Sequence, residues 1–188
     1  AWLSAVAHSE IVQEISTHFE IINIIKPLKR FGNLTLSYDD PSKLGSDRFS
    51  AMLGAINHFP NHPLLVIDIG SAITFDVIDK NGLHHGGFIM PGMKALRGSF
   101  EKFKTSDLSL GSTGLANNTD DAWKNGTYAM MIGAIHYQIE SFQSNFSDGV
   151  VTACGGMVKE IKKELPKSIE LFDNLVLDGL ESYSQSMG

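Results

Sequence analysis

Apolar residues recur every three or four positions in some stretches of the chain and alternate in others, and these two periods sort it into helices and strands. Ile11, Val12, Ile15 and Phe19 stand at helical spacing within residues 9–19, and a β-branched run from Ile21 to Ile25 follows, closed by Pro27. The pattern predicts a helix leading into a strand. The polar stretch 32–46, with Asp39, Asp40 and Pro41, predicts a loop. Residues 48–59 return to helical spacing, which places Asp47 at or beside a helix N-terminus.

A continuous apolar run from Leu64 ends in Asp68, Gly70 and Ser71 follow, and Ile73, Phe75 and Val77 then alternate up to Asn81 and Gly82. This predicts a β-hairpin with a tight turn of small residues. Residues 91–103 predict a helix and a polar segment runs on to Thr119. The longest helix is expected over 120–142, where Trp123, Tyr128, Met131, Ile135, Ile139 and Phe142 form a stripe that reads as core. Residues 150–153 predict a strand ending at Cys154-Gly155-Gly156, followed by a helix over 158–164, a strand over 169–172 and a last helix over 175–183. Alternating strands and helices with a hairpin inserted predict an α/β domain with a mixed sheet.

At 188 residues the chain has room for one domain or two small related halves. Its 15 basic residues are scattered among 21 acidic ones, giving a net charge of −6, and no nucleic-acid partner is expected. No apolar run approaches the length of a membrane span and the N-terminus lacks a signal-peptide pattern, so the expectation is a soluble cytoplasmic protein with no membrane partner. Cys154, the one cysteine, cannot form an internal disulfide. His84 and His85 lack a third ligand at metal-site spacing and read as a surface turn.

The strongest candidate for chemistry is Asp68-x-Gly70-Ser71-Ala72-x-Thr74-x-Asp76, an acid at a strand end followed by small residues in a turn. Small side chains let backbone N–H groups approach a phosphate, and the Ser71 or Thr74 hydroxyl adds a hydrogen bond. Asp68 would then hold a cation or orient a water, and the competing reading is an ordinary hairpin. Leu44-Gly45-Ser46-Asp47-Arg48, preceded by Tyr38, is the second candidate. Asp47 there is either a helix cap or a base for a hydroxyl, with Arg48 as a fork for a carboxylate. The glycines at 86, 87 and 92 and the Cys154-Gly155-Gly156 turn permit close backbone approach to a ligand or a neighbouring element. Neither a Rossmann glycine fingerprint nor a P-loop occurs.

Taken in order, these segments resemble type III pantothenate kinase, the family that also contains the Bvg accessory factor proteins. Tyr38-x-x-Pro41-x-x-Leu44-Gly45-Ser46-Asp47-Arg48 is similar to the family's pantothenate-binding segment, and Asp68-x-Gly70-Ser71-Ala72 to its second phosphate motif. Gly86-Gly87-x-Ile89-x-Pro91-Gly92, Asn118-Thr119, Cys154-Gly155-Gly156 and residues 174–180 also fall where the family has similar segments. The resemblance implies an acetate and sugar kinase/Hsp70/actin-like (ribonuclease-H-like) fold in a homodimer. Residues 1–62 would be the remainder of the first half and residues 63–188 the second. It implies ATP-dependent phosphorylation of pantothenate, the first step towards coenzyme A, with Mg2+ accompanying ATP. Asp47 would be the catalytic base, and Tyr38, Gly45, Ser46, Arg48 and Thr119 would bind pantothenate with it. Asp68 would hold a monovalent cation, K+ or NH4+, while Ser71, Gly155 and Gly156 would lie at ATP.

The chain departs from the family pattern in four places. Ser46 stands for Ala, Ser71 for Thr and Cys154 for Thr, and the Asp-x-Gly-Asn-Thr hairpin that opens the family is not found before Tyr38. The N-terminal part of the first half is therefore expected to be missing from this chain. A non-catalytic accessory or regulatory protein on the same fold is the alternative function. A third reading, another phosphotransferase or a polyphosphate hydrolase, is disfavoured by the Tyr38 to Arg48 segment.

Overall fold

A computed structural model of the chain describes residues 1–4, 14, 17–103 and 109–187. Most of the helix expected over 9–19 lies outside the described residues. Two short pairs come first: β1 (Trp2–Leu3) lies parallel to β2 (Asn23–Ile24), and β3 (Arg30–Phe31) antiparallel to β4 (Leu34–Thr35). Helix α1 (Ser46–His58) follows. The main sheet contains β5 (Leu64–Ile69), β6 (Ala72–Ile78), β7 (His84–Pro91), β8 (Val150–Cys154) and β9 (Glu170–Leu171). Helices α2 (Met93–Gly98) and α3 (Thr119–Asn145) lie between β7 and β8, α4 (Val158–Ile161) follows β8, and α5 (Leu175–Met187) closes the chain.

The strand order is β7-β6-β5-β8-β9. β6 runs antiparallel to both neighbours, whereas β5, β8 and β9 are parallel. Counted within the sheet the order is 3-2-1-4-5 with only the second strand reversed, the arrangement expected of a ribonuclease-H-like half.

Period-two alternation gives the sheet two apolar faces. Leu65, Ile67, Ile69, Ile73, Phe75, Val151 and Ala153 share one core with the α3 stripe of Tyr128, Met131, Ile132, Ile135, Ile139 and Phe142. Burying each of those large side chains contributes about 1.5–3 kcal/mol. Leu64, Val66, Ile78 and Cys154 turn the other way and meet Phe49, Met52 and Leu175 from α1 and α5. The two helices on this side cross closely at paired glycines. A Cβ on Gly54 would run into the Leu175 carbonyl, and one on Gly179 into the Ser50 carbonyl.

Several expectations change. The 32–46 loop contains β4 and a 3-10 turn at Pro41–Lys43, anchored by Leu34 and Leu36, which are fully buried. The glycine-rich stretch before Pro91 is the eight-residue strand β7, and His84 is wholly buried rather than part of a surface turn. Glycine weakens strand propensity, yet here the packing requires it: Gly87 lies opposite Asp76, and a Cβ there would strike the Phe75 carbonyl. The helix expected over 91–103 is split into α2 and a 3-10 turn at Glu101–Phe103.

Candidate active site

The site lies where α1 begins against the ends of β5 and β8. Ser46 is the first helical residue, Gly45 caps it, and Asp47 occupies the first turn, where the helix dipole favours a negative charge. Asp47 Oδ1 accepts the Arg48 backbone N–H at 2.8 Å. On the sheet, Asp68 is paired in register with Thr74 on one side and Cys154 on the other. Asp68 has the parity of Leu64 and Val66, so this row faces α1 and its Asp47.

Electrostatics couples the row to the helix. Burial raises the Asp68 carboxyl above its ordinary value, and the facing Asp47 raises it further. The same two causes act on the buried Cys154 thiol, raised first by burial and then by Asp68 and Asp47, which makes it inert rather than nucleophilic. Asp68 and Asp47 thus face each other as two carboxylates across the start of α1.

Three turns meet beside this pair. The β5–β6 turn is closed by Gly70 N–H donating to the Ala72 carbonyl at 2.9 Å. Gly92 N–H donates to the Ser71 carbonyl at 3.1 Å, and Met157 N–H to the Ile69 carbonyl at 3.1 Å. Gly155 has φ +104°, and a Cβ at that position would run into the Asp68 carboxylate and the Ile69 carbonyl. Ser71 and Gly156 are exposed on the rim.

Arg48 points from the first turn of α1 into a buried polar cluster. Its Nε donates to Asp76 Oδ2 at 2.9 Å and its Nη2 to Asp76 Oδ1 at 2.6 Å. Its Nη1 donates to the Tyr38 hydroxyl at 3.2 Å. His84 Nε2 is 2.9 Å from Asp76 Oδ1, and the Tyr38 ring stacks on His84 at 6.0 Å between centroids. Along the sequence, Asp76 closes the candidate motif that begins at Asp68 but has no role assigned, and His84 reads as a surface turn. For Asp76 a signal was present: it follows Asp68 and Thr74 in the alternation of the hairpin and so falls on the same face.

The remaining expected residues divide. Tyr38, Gly45, Asp47, Arg48 and Asp68 come together around the start of α1, with Ser71, Gly155 and Gly156 on the adjoining turns. Ser46 is buried, and its hydroxyl accepts from Ser4 Oγ at 3.1 Å. Thr119 stands apart, exposed at the start of α3, whose body packs on the opposite face of the sheet. Among the described residues no group of three or more metal-ligating side chains occurs, and no helix is long and apolar enough to cross a membrane.

The sheet order, with its reversed second strand, defines a member of the acetate and sugar kinase/Hsp70/actin fold class. A crystal structure of a conserved Baf family protein from Campylobacter jejuni shares this fold at a TM-score of 0.62 and 20% identity, over 96% of this chain and 80% of that one. Residues 2–141 match the family model of type III pantothenate kinase, and the chain belongs to that family. It is 32% identical over 165 residues to the type III pantothenate kinase of Colwellia psychrerythraea, covering 80% of this chain and 66% of the relative. Identity is 31% over 180 residues to that of Xanthomonas campestris pv. campestris, with 93% and 72% covered. With the enzyme of Herminiimonas arsenicoxydans it is 35% over 158 residues, with 80% and 61% covered. The chain thus spans about two-thirds of the length of these curated relatives.

Proposed function

We propose that the protein of which this chain forms the site phosphorylates pantothenate with MgATP, yielding 4'-phosphopantothenate for coenzyme A synthesis. The observation that carries the reading is Asp47 facing Asp68 at the mouth of the α1 and β5 ends, beside the Tyr38–Arg48 corner. Tyr38 accepts from Arg48, which leaves its own hydroxyl proton free to donate, so the corner offers donors suited to the pantothenate carboxylate. Gly45 and Ser46 supply the backbone of that wall, and Thr119 adds a contact to the same substrate. Asp47 is the base that takes the proton of the hydroxyl being phosphorylated. Ser71, Gly155 and Gly156 border the ATP phosphates and nucleoside, where glycine permits close approach.

The Asp68–Asp47 pair fits a monovalent cation, K+ or NH4+, because two facing carboxylates, with Asp68 partly buried, favour a bound positive charge between them. Asp68 would hold that ion, which when bound screens charge on the transferring phosphoryl group. Residues 1–62 belong on this reading to the first ribonuclease-H-like half and 63–188 to the second. The exposed α3 face of Gly126, Met130, Gly133 and Tyr137, at spacings of four, three and four, supports a homodimer. A cytoplasmic site of action follows from the substrates.

The test is a coupled ADP-release assay on the full-length protein with pantothenate, with and without potassium. Turnover that potassium stimulates is expected, together with a loss of at least about a hundredfold in kcat for Asp47→Asn and little change in pantothenate binding by calorimetry. Unchanged turnover in Asp47→Asn would remove it as the base. A folded wild-type protein with no turnover would favour the accessory reading.

A further inference from the structure

Arg48 would be a flexible cation were it not gripped from behind. Two of its nitrogens are bound by one carboxylate, Asp76, which is 1% exposed and offers no face to solvent. Asp76 accepts from Arg48 at both oxygens, so the short His84 contact to Oδ1 places the imidazole proton on Nε2. The other ring nitrogen, Nδ1, is 3.4 Å from Ser37 Oγ, one residue before Tyr38. His84 therefore ties the Asp76 end of the cluster to the segment after β4 that carries Tyr38, and its ring also supports the Tyr38 ring face to face. The cluster spans three elements, α1, β6 and β7, and is closed at Gly87, where a Cβ would crowd Asp76 Oδ1.

From this we infer that Asp76 and His84 are positioning residues for the acceptor substrate, an assignment that rests on the pantothenate reading above. Asp76, itself held by His84, consumes the planar fork of Arg48, so that the guanidinium presents only its Nη1 edge, beside the Tyr38 hydroxyl, to a substrate carboxylate. The pair acts through Arg48 and Tyr38 and touches neither the ATP turns nor Asp47. Its effect belongs to pantothenate affinity and not to phosphoryl transfer.

The discriminating variants are His84→Gln and His84→Asn in the full-length protein. A glutamine amide reaches the place of Nε2 and can still donate to Asp76. An asparagine amide reaches only the place of Nδ1 and leaves Asp76 one donor short. With both variants shown to be folded by circular dichroism, His84→Asn is expected to raise the KM for pantothenate about tenfold, the scale of one charge-assisted hydrogen bond. The KM for ATP and kcat should stay within about twofold, and His84→Gln should recover most of the pantothenate KM. Equal pantothenate KM values in the two variants and the wild type would overturn the inference. So would a parallel change in kcat and in the KM for ATP, the mark of a merely structural residue. Absence of wild-type turnover would instead overturn the pantothenate reading, and this inference with it.

Discussion

Asp68 carries the sharpest electrostatic consequence of any single residue. Burial and the facing Asp47 hold its carboxyl above the ordinary value, so the folded protein keeps that proton to a higher pH than the unfolded chain does. Where the folded state binds more protons, stability falls as pH rises; it falls through the interval between the ordinary carboxylate range and the raised value, and stays lower above it. Asp68→Asn removes this cost. Its melting temperature is expected to exceed that of the wild type at about pH 7, with the gain shrinking towards about pH 4. Potassium chloride should raise the wild-type melting temperature relative to choline chloride of equal ionic strength, and should not do so in the variant. A cation response that survives Asp68→Asn would move the ion elsewhere. Asp68 and Asp47 were legible in the sequence because each stands at the end of an apolar pattern that itself could be read. His84 was not: two adjacent histidines after a turn give no sign that one faces a buried carboxylate and the other solvent.

At the scale of elements, the α1–α5 crossing is the contact most exposed to a one-atom change. Gly179 lies against the Ser50 carbonyl and Gly54 against the Leu175 carbonyl, so neither backbone has room for a methyl group. Gly179→Ala is expected to destabilise the protein by about 1–3 kcal/mol in urea unfolding, despite alanine's better helix propensity. A stabilising Gly179→Ala would mean that the helices can separate without loss. The helical period revealed α1, α3 and α5 because each presents one apolar stripe to a single core; alternation revealed β6, and β5 showed as a continuous apolar run because both its faces are buried. Strand β7 escaped because Gly87 is demanded by the neighbouring strand and Gly86 by its own positive φ of 98°, neither of which an apolar pattern shows. The order of the strands and the α1–α5 contact depend on pairings between distant segments, which no local period encodes.

At the scale of the whole molecule, Asp47 and Thr119 pose a geometric problem. Asp47 faces the α1 side of the sheet, whereas α3 packs on the other side from Thr127 onward. Thr119 lies eight residues before Thr127, which at the helical rise carries it about 12 Å further along the axis. If both residues serve pantothenate, two copies related by a twofold axis resolve the conflict, with Asp47 from one and Thr119 from the other. Such an arrangement makes each site a composite, and composite sites can be complemented. Asp47→Asn and Thr119→Ala are each expected to be nearly inactive as pure proteins. Mixed in equal amounts and allowed to exchange subunits, half of the dimers become hybrids, and each hybrid has one site with both native residues. About a quarter of wild-type activity should return on this arithmetic for a twofold dimer. A mixture that stays inactive after subunit exchange, verified by native mass spectrometry, would place both residues in the same chain's site or remove Thr119 from substrate binding.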